Sequence, residues 1–253
     1  GMAAVQIGFL EIAAGFADIV FATGMEHMSR VPMGPTLFEK GVMSVNPALY
    51  DDETYASWDM NTTMNMGLTA EKLADRTGIS RQEMDCWAVR SHQLATEAVD
   101  ADFFSGEILP ITVIQADGTE RSIDKDQAIR ANADLASLEK LKPVFRPDGV
   151  ITAGNASPLS AGAGGILLMS LKTALEKGLK PKAVIRSIGF SGVDPTLMGI
   201  GPVPASRMAL EKAGLKVENI DFWEINEAFS VVALNCIQEL AIEPERVNVH
   251  GGG

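Results

Sequence analysis

The sequence predicts an α/β fold carrying an inserted α+β segment, and three observations predict it. From residue 150 onward short apolar runs alternate with helical patterns, the texture of βαβ units and a mostly parallel sheet. The first 23 residues read as a helix that is apolar nearly all round, followed by a strand with few polar residues. Between these parts, over about residues 28–148, Pro, Asn, Asp and Met are scattered among short helices, which marks an insertion between a strand and its continuation.

Taken in order, residues 2–15 place Met2, Val5, Ile7, Phe9, Leu10 and Ile12 on every side of a helix, so that helix is expected to be buried on several faces. Residues 17–23 follow as a buried strand. Within the insertion, Ser80 and Glu83 have capping-box spacing and open a helix to about Asp102. Residues 111–123 form a hairpin around Asp117-Gly118, and Asp134 caps a helix over 135–141. Beyond it, strands are expected at 150–152, 166–169, 183–188, 222–225 and 246–249, with helices at 171–177, 204–213 and 226–241. No Gly-x-Gly-x-x-Gly opens any of these helices. The run Gly162-Ala163-Gly164-Gly165 lacks the lysine of a phosphate loop and is expected to let a helix pack closely on a strand.

Composition excludes some functions. With 46% hydrophobic and 6% aromatic residues the chain has the make-up of a globular α/β protein. No apolar run reaches the roughly 18 residues of a spanning helix, and no basic, apolar leader opens the sequence. A net charge of −12 argues against nucleic acid or an anionic membrane as a general partner, so an acidic ligand needs a local basic patch. Arg121, Lys125, Arg130, Lys140 and Lys142 form the best such cluster, although most of them fit a solvated surface equally well. Two cysteines without metal or redox spacing imply no disulfide framework and fit a reducing compartment. Cys236 shares an apolar helix face with Phe229, Val232, Ala233 and Leu240, and is expected to be a core thiol. Cys86 falls with Arg90, Gln93 and Glu97 on the solvated face of its helix, and a mid-helix thiol beside Glu83, Asp85 and Glu97 has little to activate it. Three scattered histidines support no metal site; His27 and His92 read as structural.

The most informative stretch is Ile225-Asn226-Glu227-Ala228-Phe229. A short apolar strand there becomes a helix with Phe229, Val232, Ala233, Cys236, Ile237 and Leu240 on one face. Asn226 is therefore expected at a helix N-terminus. An amide there either caps the helix or holds a water or a developing oxyanion where the dipole favours negative charge.

Six phrases carry a family resemblance. They are Gly24-Met25-Glu26-His27-Met28-Ser29, Met66-Gly67-Leu68-Thr69-Ala70-Glu71, Thr152-Ala153-Gly154-Asn155-Ala156-Ser157, Met198-Gly199-Ile200-Gly201-Pro202-Val203-Pro204-Ala205, the Asn226-Glu227-Ala228-Phe229 turn, and Val247-Asn248-Val249-His250-Gly251-Gly252. In order and spacing, over essentially the whole chain, they resemble the thiolases, and among them the degradative 3-ketoacyl-CoA thiolases of fatty-acid β-oxidation. The resemblance implies a layered αβαβα architecture with an inserted loop domain. Residues 1–27 end the N-terminal half, 28–148 form the insertion over the coenzyme A site, 149–170 return to the N-terminal half, and 171–253 belong to a truncated C-terminal half. The family's nucleophilic cysteine falls just before the position of Gly1, and its histidine and second cysteine fall beyond Gly253. The chain is accordingly expected to be an inactive interior fragment of a longer enzyme.

By the same resemblance, Asn226 stabilises an oxyanion through a water and Glu227 orients its neighbours. Arg130 contacts the nucleotide end of coenzyme A, and Ser157 hydrogen-bonds its pantetheine arm; a turn or cap is the alternative for Ser157. Met66, Met198, Ala228 and Phe229 shape the acyl pocket. Asn65 stands where short-chain members have histidine, which leans towards longer substrates. Ala161, Gly164-Gly165 and His250 depart from the family's usual residues. Coenzyme A is implied as substrate with no permanently bound cofactor. The implied enzyme is cytoplasmic, with an organelle as the alternative, a homodimer or dimer of dimers, and a candidate for a β-oxidation multienzyme partner. A ketoacyl carrier-protein synthase, a biosynthetic acetoacetyl-CoA thiolase and a non-catalytic acyl-CoA-binding homologue remain alternatives.

Overall fold

A computed structural model describes residues 1–30 and 47–252, and they fall into two compact units. The first holds the described parts of residues 1–47, 159–190 and 208–214; the second holds the described parts of 48–158, 191–207 and 215–253. The share of the predicted insertion between residues 31 and 46 lies outside the described residues. No described helix is long and apolar enough to cross a membrane.

In the first unit, helix α1 (Met2–Ala13) packs beside an antiparallel pair, β1 (Ile19–His27) and β4 (Ala161–Met169), in the register Ile19 to Met169 through His27 to Ala161. Gly8 is the close contact, because a Cβ there would strike Val20 and Leu168. The expected burial is not found. Gly8 is the one buried residue of α1, Ala22 the one buried residue of β1, and Phe21, Met25, Ile166 and Leu167 are all exposed. A single helix beside two strands covers only part of an apolar surface. The 162–165 glycines lie inside β4, opposite 23–26, so they form neither a phosphate loop nor a helix seat.

The second unit is built on two long helices. Asn65 Oδ1 accepts from the N–H groups of Gly67 and Leu68 and so starts α2 (Met66–Thr77), which ends at Gly78 with φ +71°. The predicted capping box opens α3 (Arg81–Asp100). The Glu83 N–H donates to Ser80 Oγ at 3.2 Å, and the Ser80 N–H donates to the Glu83 carboxylate at 2.7 Å. The Ser80 hydroxyl, which also donates to that carboxylate at 2.7 Å, and the Ser80 N–H after it hold the Glu83 carboxyl below its ordinary range. The predicted hairpin is present as β2 (Ile111–Ile114) and β3 (Glu120–Ile123), with Gly118 at φ +82° in its turn. Asp134 does cap a helix, but a single turn, Leu135–Leu138, and not one that runs to residue 141.

Helices α4 (Leu171–Glu176), α5 (Pro202–Ala213) and α6 (Ser230–Leu240) stand close to their expected positions, α6 excepted at its start. Its N-cap is Phe229, so Asn226 neither opens nor caps it, which corrects the predicted helix over 226–241. The expected mostly parallel sheet also differs. Residues 150–152 and 183–188 pair with no strand among the described residues, and 222–225 and 246–249 meet in one parallel bridge, Trp223 with Val247. The reason for the last is Asn248. With φ +48° it turns the chain directly after the Val247 bridge, and its side chain takes over the ladder. Two apolar clusters fill the unit: Leu73, Met84, Ile151, Val231 and their neighbours in one, Trp87, Ala233, Cys236, Leu240 and Val247 in the other.

Candidate active site

The turn before α6 is fixed from three sides. The Trp223 N–H donates to the Arg246 carbonyl and the Asn248 N–H to the Trp223 carbonyl, both at 2.8 Å. The Asn248 amide then brackets Ile225, accepting its N–H at 2.7 Å and donating to its carbonyl at 2.8 Å. Next along the chain, Glu227 turns inward and is only 6% exposed. Its Oε1 accepts from Trp87 Nε1 at 2.7 Å and from Asn248 Nδ2 at 2.6 Å, and its Oε2 accepts from Ser91 Oγ at 2.7 Å. Ser91 Oγ in turn accepts the Gly252 N–H at 2.8 Å. Two residues beyond Asn226, the Ala228 carbonyl accepts from the Ser157 N–H at 3.0 Å, and the Ser230 N–H donates to the Asn155 carbonyl at 2.9 Å.

Asn226 sits between these anchors. Its side chain is exposed and makes no hydrogen bond to the described residues. The backbone on each side is held while the carboxamide remains open, the arrangement that a preorganised donor requires.

The facing loop is held just as firmly. Asn155 Nδ2 donates to Asp85 at 2.9 Å and to the Val150 carbonyl at 3.1 Å, while its Oδ1 accepts the Thr152 N–H at 2.9 Å. Asp85 also accepts from Arg81 Nε at 2.6 Å. Glu71, 1% exposed, accepts the N–H groups of Val150 and Ile151 at 2.9 and 3.0 Å. The Glu71 carboxylate and the Asn155 amide oxygen thus take the N–H groups of 150–152 that a strand partner would otherwise have accepted, and no strand forms there. Ser157, Ala228 and Phe229 are thereby brought together. Phe229 is buried and meets the Phe145 ring edge-on at 6.1 Å, and the same Phe145 ring presses on Gly67, where a Cβ would overlap it. Met66, beside Gly67, and Met198, beside a Gly199 packed close to Leu73 and Val232, both remain partly exposed.

Arg130 lies elsewhere on the unit. Its Nη1 donates to the carbonyls of Gln127 and Ala128 at 3.0 and 3.2 Å, and its N–H donates to His92 Nδ1 at 3.3 Å. Burial first, and the Arg130 charge second, push the His92 pKa below its ordinary value against the pull of Glu227 and Asp126. Arg121 and Lys125 line a cavity of about 450 Å³ in which Asp124 and Asp126 stand beside them, so its charge is mixed. Among the described residues no three His, Cys, Asp or Glu side chains gather as a metal site. Cys236 is fully buried and its pKa is pushed up to about 12 by burial, while Cys86 is exposed. The His250 ring packs tilted at 33° on Phe103, with the ring centroids 3.8 Å apart. Burial raises the pKa of the neighbouring Glu224, which His250 lowers in part.

Sequence reasoning did not single out Trp87, Ser91, Asp85 or Asn248. Ser91 left one signal, a hydroxyl on the apolar stripe of α3 one turn from Trp87.

Residues 1–172 match the thiolase N-terminal domain family and residues 179–253 the thiolase C-terminal domain family. The chain belongs to the thiolase family. It is 40% identical over all 253 of its residues to a probable acetyl-CoA acyltransferase of Staphylococcus aureus (strain COL), of which it covers 64%. Among solved structures, it aligns over its whole length with human mitochondrial 3-ketoacyl-CoA thiolase at TM-score 0.83 and 35% identity, covering 64% of that chain. With the acetyl-CoA acetyltransferase of Bacillus anthracis the TM-score is 0.85 and the identity 38%, again over 100% of this chain and 64% of the other. The fold is thus the α/β fold of the thiolases, and this thiolase chain spans 64% of the length of these relatives.

Proposed function

We propose that the protein acts as an acetyl-CoA C-acyltransferase that cleaves 3-ketoacyl-CoA with coenzyme A in fatty-acid breakdown. The observation that carries this reading is the Asn226 carboxamide, open to solvent between backbone anchors on both sides. In the reaction, a cysteine thiolate attacks the keto carbon, and the carbonyl electrons form an oxyanion. Its collapse breaks the bond to the next carbon, the acetyl-CoA enolate takes a proton and leaves, and the thiolate of coenzyme A then takes the acyl group from the enzyme. Asn226, through a bound water, supports the charge on oxygen that grows only in the transition states, an effect worth about 3 kcal/mol at comparable single-donor sites. The nucleophile is neither Cys236, whose thiol burial pushes up to about 12, nor Cys86, which sits mid-helix on the solvated face of α3.

Ser157, one backbone hydrogen bond from Ala228, is offered to the pantetheine arm, and Arg130 to the nucleotide. Met66, Met198 and Ala228 form the acyl pocket over a floor made by Phe229. The Asn65 amide is occupied in starting α2, which supports a pocket for longer acyl chains without a histidine at that point. The reading extends to a cytoplasmic homo-oligomer. Its test is the cleavage of acetoacetyl-CoA and a long-chain 3-ketoacyl-CoA by the full-length protein with coenzyme A. Cleavage with higher kcat/KM on the long chain is expected. Cleavage of neither substrate contradicts the activity, and preference for the four-carbon substrate contradicts the chain-length assignment.

A further inference from the structure

We infer that Glu227 is a positioning residue that locks the Asn226 turn and the Gly251–Gly252 turn to one another through Ser91. The inference rests on the role given to Asn226 above. Three donors from two separate stretches of chain converge on this carboxylate, Trp87 and Ser91 from α3 and Asn248 from the last turn, while Glu227 itself belongs to a third, the Asn226 turn. Ser91 relays the contact, donating to Glu227 and accepting from the Gly252 N–H. Both glycines are seated against this frame. A Cβ at Gly252 would overlap the Glu227 carboxylate, and one at Gly251 would come within 2.6 Å of Ala95 and of the Ser91 carbonyl.

An apolar side chain in place of Glu227 would leave the Trp87, Ser91 and Asn248 donors without this acceptor, so the carboxylate contributes to stability as well as to geometry. The geometric part of that role is to tie α3 and the last turn to the Asn226 turn through one group. Glu227 is adjacent to Asn226, so any shift of the carboxylate moves the carboxamide, and a misplacement of about 1 Å at a reacting centre can cost on the order of 10² in rate. Glu227→Gln alters charge and acceptor geometry together. An amide has one acceptor oxygen and would point a donor at Ser91 or at the Trp87–Asn248 pair, all of which donate already.

The experiment compares steady-state kinetics and melting of the full-length protein with Glu227→Gln, Ser91→Ala and Asn226→Ala, using acetoacetyl-CoA and coenzyme A. Glu227→Gln is expected to lower kcat by about tenfold or more and Ser91→Ala by about fivefold, with KM for coenzyme A within about twofold. Because both changes cut the same relay, the double variant should lose less than the product of the two. If both keep kcat within about twofold and lose only melting temperature, the role is structural and the inference is overturned. Should Glu227→Gln fail to fold, Ser91→Ala decides by the same criterion. Asn226→Ala separates the two levels: kcat intact there removes the reading and the coupling together, whereas kcat lost there but kept in the other two variants overturns the coupling alone.

Discussion

The two compact units of the chain treat burial in opposite ways. The second buries Glu71, Asp85, Asn155, Glu227 and Asn248 and gives each of them hydrogen-bonding partners, so its polar interior works as a frame. The first buries little and leaves Phe16 81% and Met25 80% exposed beside the bare faces of β1 and β4. The difference separates two kinds of order. Side-chain acceptors that reach across the sequence hold the loops of the second unit without a sheet, while the first has a strand pair whose apolar surface remains uncovered. All the residues assigned to the site, Asn226, Arg130, Ser157, Met66, Met198, Ala228 and Phe229, belong to the framed unit.

The largest test of this contrast is the 253-residue polypeptide by itself. Its two cysteines are a buried core thiol and a thiol on a solvated helix face, so no nucleophile is at hand. Incubated with acetoacetyl-CoA and coenzyme A, it should give no turnover above a boiled control; turnover would place the nucleophile at Cys86 or elsewhere in this chain. The same preparation should bind a hydrophobic dye strongly and elute from size exclusion as dimers or aggregates, because α1, β1 and β4 leave Leu10, Phe21, Met25, Ile166 and Leu167 exposed, and soluble monomers rarely expose contiguous apolar patches above about a few hundred Å². A monodisperse, dye-free monomer would show that the first unit is covered after all.

Paired glycine substitutions sharpen the comparison. Gly67→Ala drives a methyl group into the Phe145 ring and should cost about 1–3 kcal/mol, a melting temperature several degrees lower. Gly164→Ala, in β4, meets nothing within 4 Å and should stay within about 0.5 kcal/mol of the parent. Equal losses at both positions would mean that the two units are packed alike.

The smallest effect expected is the titration of His92. Neutral His92 accepts the Arg130 N–H, and its folded-state pKa lies below the ordinary 6.5. The unfolded chain therefore takes up the proton first, and the stability this group contributes is complete above about pH 6.5 and lost as pH falls towards the folded value. Melting followed from pH 7 to 5 should show a slope that His92→Ala reduces. An unchanged slope would leave the Arg130 loop without this anchor.

What the sequence disclosed follows the range of each interaction. The Ser80–Glu83 box, the Asp117-Gly118 hairpin and the Asp134 cap are set by residues within a few positions of one another, and all three appear in the structure. Expectations that needed distant partners did worse. Phe222 to Ile225 has the apolar pattern of a strand, but Asn248 replaces its ladder after one bridge. The same clamp, with Glu227 drawn inward, keeps Asn226 out of the helix that its pattern predicted. Glu227 meets Trp87 and Ser91 across 140 and 136 residues of chain, a distance over which no periodicity reports. The apolar periodicity of α1 was legible as a helix, whereas its burial depended on neighbours that periodicity does not specify.

The central claim is that a fixed backbone presents the Asn226 carboxamide to charge that develops only in the transition state, while Arg130 serves binding alone. The direct measurement is the kcat and coenzyme A KM of the full-length protein with Asn226→Ala and with Arg130→Ala. Asn226→Ala should lower kcat by about 10² to 10³ with KM nearly unchanged, and Arg130→Ala should raise KM with little change in kcat. Asn226→Ala with kcat intact and a melting temperature lower by a few degrees would contradict the account.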